Sequence, residues 1–290
     1  MNDDASKIRT LTPAETGMLL GWAAGEGWNP GIADAPAFHA TDPAGFIGAF
    51  VDGAMVAGIS AVAYGEDFGF IGLYICRPDC RGRGYGRLVW NAGMRRLEGR
   101  TIGLDGVPEQ QANYTRMGFC SLYRTWRWSG RPGPVQATRW ATTSGGNVRD
   151  IVPPQPELAP AIETFDRRFF PAPRPAFLAR WLESPRIARV LVRDGIVRGY
   201  GVARRCGDGF KIGPLFAEDA QGASTLLSAL TAECGDATIH LDVPETAEHF
   251  SGMLADGGLQ RGFVTARMYR GTPPAVETSG VFAVTTLELG

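Results

Sequence analysis

The chain has 290 residues, 44 % hydrophobic and 20 % charged, with a formal net charge of −1. That is the profile of a folded protein with room for two ordinary domains, and it supplies no field to draw nucleic acid or an anionic membrane. No apolar run is long enough to span a bilayer, and the opening MNDDASKIRT lacks the order of a signal peptide, so a cytoplasmic protein without nucleic-acid or membrane partners is expected.

In chain order, TPAETGMLLGWAAGEG (12–27) predicts a helix. FIGAFVDGAMVAGISAVAYG (46–65) predicts two strands turned at Asp52-Gly53, a strong hairpin signal between apolar runs. FGFIGLYIC (68–76) reads as an apolar strand, followed by CRPDCRGRGYG and a helix from Tyr85, with Tyr85, Leu88, Val89 and Ala92 on one apolar face. A short strand TIGLDG (101–106), a helix and a late strand SLYRTWRWSG (121–130) complete the series. The same order then recurs at a separation of about 140 residues. PELAPAIETFDRRF is the second early helix, IARVLVRDGIVRGYGVARR the second hairpin, GFKIGPLFA the apolar strand, and ATIHLDV and GFVTARMYRG the later strands. Asp194-Gly195, Phe210, Leu241-Asp242 and Pro244 repeat Asp52-Gly53, Phe70, Leu104-Asp105 and Pro108. The reading is a mixed α/β fold with a partly parallel sheet, in two similar domains. The division is 1–130 and 148–290, with a Gly-, Pro-, Ser- and Thr-rich linker at 131–147.

Five scattered cysteines, an odd number, argue against a disulfide framework. Cys76 and Cys80 lack zinc-ribbon spacing, and the three histidines form no ligand motif, so no metal is expected.

The chemistry concentrates at CRGRGYG. Strand, glycine turn and helix start present unpaired backbone N–H groups at the positive end of a helix dipole. Gly82, Gly84 and Gly86 clear side chains from that end, and Arg81, Arg83 and Arg87 surround it with positive charge. The arrangement suits a phosphate or pyrophosphate; a tight turn that needs glycine for backbone shape is the alternative. A Walker lysine is absent, and the spacing is G-x-G-x-G rather than the dinucleotide G-x-G-x-x-G. Arg81-x-x-Gly84-x-Gly86, with Pro78 three residues before the arginine, resembles the R/Q-x-x-G-x-G/A motif of the GNAT superfamily of acyl-CoA-dependent N-acyltransferases. NYTRMGF, with Tyr114 four residues before Gly118-Phe119, and GWNPG near the N-terminus extend the likeness to tandem GNAT proteins with a divergent C-terminal domain.

The resemblance implies acetyl-CoA as cosubstrate and direct attack by an amine of a small-molecule acceptor, with Tyr114 returning a proton to the departing sulfur. It implies a cosubstrate site of Ile75, Cys76, Arg81, Gly82, Arg83, Gly84, Tyr85, Gly86, Asn113 and Tyr114, and an acceptor side of Trp28, Asn29 and Tyr74. A tyrosine that merely packs is the other reading of Tyr114, core or turn positions the other reading of Trp28 and Asn29. Glu26 and Asp105 are candidate proton acceptors, with Glu66 behind them. Because Asp242 holds the equivalent place in the second copy, Asp105 can equally shape the turn. A covalent role for Cys76 is disfavoured, since the family's attack needs no nucleophile on the protein. The second copy has AEDAQG for RGRGYG and Phe250 for Tyr114, so it is expected to bind no CoA and to cover or wall the first domain. A non-catalytic CoA-binding scaffold and a protein or peptide N-acetyltransferase are the competing functions. A monomer or a homodimer fits equally.

Overall fold

The computed structural model describes residues 7–133, 136, 138–140 and 147–290. Most of the expected linker, 131–147, lies outside the described residues.

The first half runs β1 (Lys7–Thr10), α1 (Pro13–Gly25), α2 (Asp34–Thr41), β2 (Phe46–Val51), β3 (Ala54–Tyr64), β4 (Phe68–Cys76), α3 (Tyr85–Arg96), β5 (Thr101–Gly106), α4 (Pro108–Arg116) and β6 (Cys120–Gly130). The second runs β7 (Ile151–Val152), α5 (Ala159–Asp166), α6 (Pro175–Trp181), β8 (Ile187–Arg193), β9 (Ile196–Arg205), β10 (Phe210–Ala217), α7 (Ala220–Cys234), β11 (Ile239–Pro244), α8 (Glu248–Asp256), β12 (Gln260–Arg270) and β13 (Val281–Ala283). Both hairpins turn where expected. Asp52 and Gly53 have φ of 49° and 79°, Asp194 and Gly195 of 52° and 75°, the paired positive values that a type I′ turn demands. Thr12 caps α1 and closes a capping box with Glu15, an arrangement in which the cap alone contributes about 1 kcal/mol.

Among the described residues the strands form one mixed sheet, ordered β1-β2-β3-β4-β5-β12-β6-β11-β10-β9-β8-β7, with β13 against β10. Only β4–β5 and β10–β11 are parallel. The two late strands are exchanged. β12 of the second half pairs with β5 of the first, β6 of the first pairs with β11 of the second, and β6 and β12 lie together at the centre. Two reciprocal ion pairs follow from the exchange. Arg267 on β12 donates to both oxygens of Asp105 on β5 (2.9 and 2.8 Å), and Arg127 on β6 donates to both oxygens of Asp242 on β11 (2.7 and 3.0 Å).

The core is likewise shared. One apolar cluster joins Leu19, Phe38, Phe46 and Phe70 of the first half to Phe170, Phe177, Trp181 and Tyr200 of the second. On the other face α3 packs on β2, β3 and β4 through Tyr85, Val89, Trp90 and Leu97. On α3 Tyr85 and Val89 are buried as expected and Leu88 is exposed; Trp90 and Gly93 also face inward, and Gly93 lets the helix approach Ala61 closely.

Candidate active site

β4 carries an irregularity between Gly72 and Ile75, with Leu73 at φ 47°. Its parallel pairing with β5 stops at Ile71↔Leu104, and beyond that point the strands part. Between them lies a cavity of about 690 Å³. The structure brings Glu26, Trp28, Tyr74, Ile75, Cys76, Arg81, Asp105 and Tyr114 to its lining.

Past Cys76 the chain reaches the glycine turn. Gly82 and Gly84 have φ of 78° and 88°, and a side chain at either would enter open space. Gly84 is the N-cap of α3 and supplies no side-chain cap, so the helix start stays open to an anion. Gly86 has a different cause: a Cβ there would stand 2.9 Å from the Tyr74 hydroxyl. Tyr85 is buried in the core beneath α3, which leaves its backbone, not its ring, at the turn. Arg83 is exposed. Arg81 donates to the Cys76 carbonyl (3.1 Å) and to Glu26, tying the end of β4 to the end of α1. Gly82 to Gly86 are not part of the cavity lining; they follow its lining residue Arg81 in the chain and lead into the helix start. An open, uncapped helix start fits a pyrophosphate, and the parted strands fit an extended arm with a thioester.

Tyr114 stands on α4, 9 % exposed, its ring stacked on Trp90 (5.5 Å between centroids), and Tyr74 also meets Trp90, at a tilt (5.3 Å). Burial pushes the Tyr114 hydroxyl above the ordinary phenol range, and Tyr74 adds to that. Burial also raises the Cys76 thiol, which keeps it protonated and disfavours it as a nucleophile.

Three expected residues stand elsewhere or are otherwise engaged. Asn29 (φ 52°) lines a second cavity of about 650 Å³, donates to Cys206 Sγ (3.2 Å) and accepts from the Asp208 N–H (3.3 Å). These contacts dock its loop on the second half. Asn113 spends its amide on Gln110 and Arg116 (both 2.8 Å), its own helix neighbours. Asp105 has a fully buried side chain, and both of its oxygens go to Arg267. Burial raises its carboxyl against the pull of Arg267. The matching pair Arg127–Asp242 occurs where there is no glycine loop, so the Arg267–Asp105 pairing serves the junction between the halves.

Other lining residues gave no sequence signal. Arg127, Phe263, Thr265, Leu287 and Glu288 come from the exchanged strands and from the segment after β13. Trp28 is held in place through its carbonyl, which accepts from Arg127 on β6 (2.9 Å) and from Lys211 on β10 of the second half (3.1 Å).

In the second half the equivalent cleft is filled. β13 pairs with β10, and the Val284 N–H donates to the Asp242 carbonyl of β11 (2.9 Å). Phe282 packs edge-on against Phe250 (5.2 Å), the residue at the place of Tyr114. Asp219 caps α7 by accepting from the Gly222 N–H (2.7 Å), closing the helix start that stays open in α3.

Residues 15–119 match the model of the acetyltransferase (GNAT) family, and residues 162–283 match that of an acetyltransferase (GNAT) domain. Holothin acyltransferase from Pseudoalteromonas sp. (strain SANK 73390) is 31 % identical over 280 residues, 93 % of this chain and 89 % of that protein. Among solved structures, a protein from Pyrococcus horikoshii proposed to be an acetyltransferase superposes with a TM-score of 0.80 at 19 % identity, covering 100 % of this chain and 98 % of that one. A tandem GNAT protein from the clavulanic acid biosynthesis pathway does so with a TM-score of 0.62 at 13 % identity, covering 93 % and 99 %. These two likenesses show the fold. With two matched domains, a full-length relative and a cleft that ends at an open helix start, the chain belongs to the GNAT family of acyltransferases and carries two GNAT domains in tandem.

Proposed function

We propose that this acyltransferase moves an acetyl group from acetyl-CoA to the amine of a small molecule, using the first-half cleft alone. The observation that carries the reading is the cavity between the parted strands β4 and β5, lined by Tyr114 and Arg81, with the uncapped start of α3 three residues beyond that arginine. The cosubstrate supplies the thioester. The N–H groups at the start of α3 bind its phosphates, with Arg81 and Arg83 adding charge; β4 backbone at Ile75 and Cys76 lies along its arm. Tyr114, protonated because it is buried, gives its proton to the sulfur that leaves. Trp28, Phe263, Thr265 and Leu287 wall the acceptor side. Four walls formed by both halves favour a small acceptor over a protein segment, which needs an open groove. The named activity of the Pseudoalteromonas relative makes holothin the first acceptor to try.

The second half is proposed to bind no acyl-CoA, since β13 and Asp219 take the places that the cosubstrate would need. The five free cysteines support a cytoplasmic, reducing setting. The experiment is calorimetric titration of acetyl-CoA, CoA and NAD, followed by thiol release with acetyl-CoA and a panel of holothin, benzylamine, aniline and spermidine. Binding of one acetyl-CoA per chain, no NAD binding and acylation of a panel amine are expected. Binding without turnover on any of them would favour a scaffold.

A further inference from the structure

Residues 281–290 bring a carboxylate to the first-half cleft. After β13 the segment is held at each step: the Thr285 carbonyl accepts from Arg204 (3.3 Å), Thr285 Oγ1 from Arg174 (2.9 Å), the Glu288 carbonyl from Ser60 Oγ (3.2 Å) and the Leu289 carbonyl from the Tyr64 hydroxyl (2.9 Å). A Cβ on Gly72 would overlap the Glu288 carbonyl, so the segment passes directly beside the irregularity of β4. From this fixed backbone Glu288, 3 % exposed, joins the lining of the cavity.

Glu288 Oε2 is buried without a hydrogen-bond partner among the described residues, and so is Thr265 Oγ1 in the lining of the same cavity. Two orphaned polar groups at one cavity call for a ligand that carries hydrogen-bond donors. Three other carboxylates line this cavity. Asp105 is bound to Arg267, Glu26 to Arg81, and Glu109 is exposed on the first turn of α4. Glu288 interacts through its charge with Arg127 on β6, Lys211 on β10 and Asp105 on β5. Arg127 is already spent on Asp242, and Lys211 on the Trp28 carbonyl.

We propose that Glu288 is the base that takes the proton from the acceptor nitrogen, an inference that rests on the acyl-transfer reading above. An acceptor arriving as R–NH3+ gives one proton to the Glu288 carboxylate and becomes R–NH2. The nitrogen lone pair forms the C–N bond to the thioester carbonyl carbon, and the C–S electron pair leaves on sulfur. Tyr114 protonates that sulfur; the second nitrogen proton restores the tyrosine through solvent, and Glu288 returns its own to solvent. An ammonium and a thioester thus yield an amide, a thiol and one proton.

The test uses the full chain with Glu288→Gln and Glu288→Asp. Steady-state rates with acetyl-CoA and benzylamine or spermidine, amines that are protonated at neutral pH, are read from pH 6 to 10, alongside acetyl-CoA affinity by calorimetry and the thermal midpoint. For Glu288→Gln we expect kcat to fall about 100-fold or more at neutral pH, acetyl-CoA affinity to hold, and the deficit to shrink as pH rises and solvent deprotonates the amine. A merely structural role would leave that shrinkage absent. Glu288→Asp should keep part of the rate, with a deficit that also shrinks as pH rises, and it carries the test if the glutamine variant does not fold. Wild-type turnover with Glu288→Gln within threefold at every pH, or with a deficit constant in pH, overturns this assignment and leaves the acyl-transfer reading standing. A wild-type chain that binds acetyl-CoA and acylates no panel amine overturns both.

Discussion

Arg267→Met tests whether Asp105 is a structural residue. The Asp105 side chain has no exposure and that of Arg267 has 8 %, so neither group recovers water when the other is removed. Methionine keeps much of the side-chain volume but leaves a buried carboxylate with no cation and two lost hydrogen bonds. Breaking a buried pair in this way costs about 3–5 kcal/mol, a large share of the roughly 5–15 kcal/mol that holds a domain together. Removing both charges by Asp105→Leu with Arg267→Met should recover most of that loss, because a buried pair replaced by apolar groups is close to neutral. The assay is urea unfolding followed by circular dichroism and tryptophan fluorescence, with stability compared across the wild type, both single variants and the double variant. A single-variant loss under about 1 kcal/mol, well below the cited range, would refute the reasoning, as would a double variant as unstable as Arg267→Met. Acylation by a stable double variant would exclude Asp105 as an obligatory base; its loss in a stable, acetyl-CoA-binding double variant would return Asp105 to consideration.

Three further outcomes are expected. Burial pushes the Asp242 carboxyl up, but Arg127, with Lys211 and Arg204 behind it, outweighs burial and holds it at about 2; the unfolded value is about 3.9. The stability from that depressed carboxyl is therefore present above about pH 4 and is lost as pH falls toward 2, so urea midpoints should drop steeply there, and Asp242→Asn should flatten that drop. Tyr114→Phe should lower kcat by about 100-fold or more while acetyl-CoA affinity is retained; because burial raises the wild-type hydroxyl, deprotonation of Tyr114 should cause no alkaline fall in wild-type rate up to pH 10. Asp219→Ala should cost about 1 kcal/mol in urea unfolding through loss of the α7 cap and leave acetyl-CoA stoichiometry at one per chain; a second binding event in the wild type would refute the closed second cleft.

Much of this architecture was legible because its signals are local. Asp-Gly turns, a glycine-flanked helix start and an apolar strand before it act through neighbours in sequence, and the structure places the hairpins, β4 and α3 where those signals lie. The internal repeat also set Asp105 against Asp242, and in the structure each aspartate holds an arginine of an exchanged strand. Its partner signal went unused: Arg127 and Arg267 recur at nearly the same separation as the two aspartates, and together the four residues mark the exchange of strands. Asn29 in GWNPG looked like an acceptor residue because nothing nearby in sequence announces Cys206 and Asp208, its actual partners. Glu288 lay beyond reach for the same reason. Its position depends on Gly72, Ser60 and Tyr64, contacts more than two hundred residues away in the chain, and no motif surrounds it. That Trp90 carries Tyr114 on its face depends on how α3 and α4 pack together, which no local motif announces.

The exchange of late strands also sets an order in time. β12 and residues 284–290 leave the ribosome after every other part of the first-half cleft, yet they supply Phe263, Thr265, Leu287 and Glu288 to its wall. A nascent chain that has finished its glycine loop and Tyr114 still has one side of the cleft missing. Until β12 slides in beside β5, the unpaired edges of β5 and β6 are open to strands of neighbouring chains, so overproduction should favour linked oligomers joined by the same strands, and slowed synthesis of the second half should worsen it.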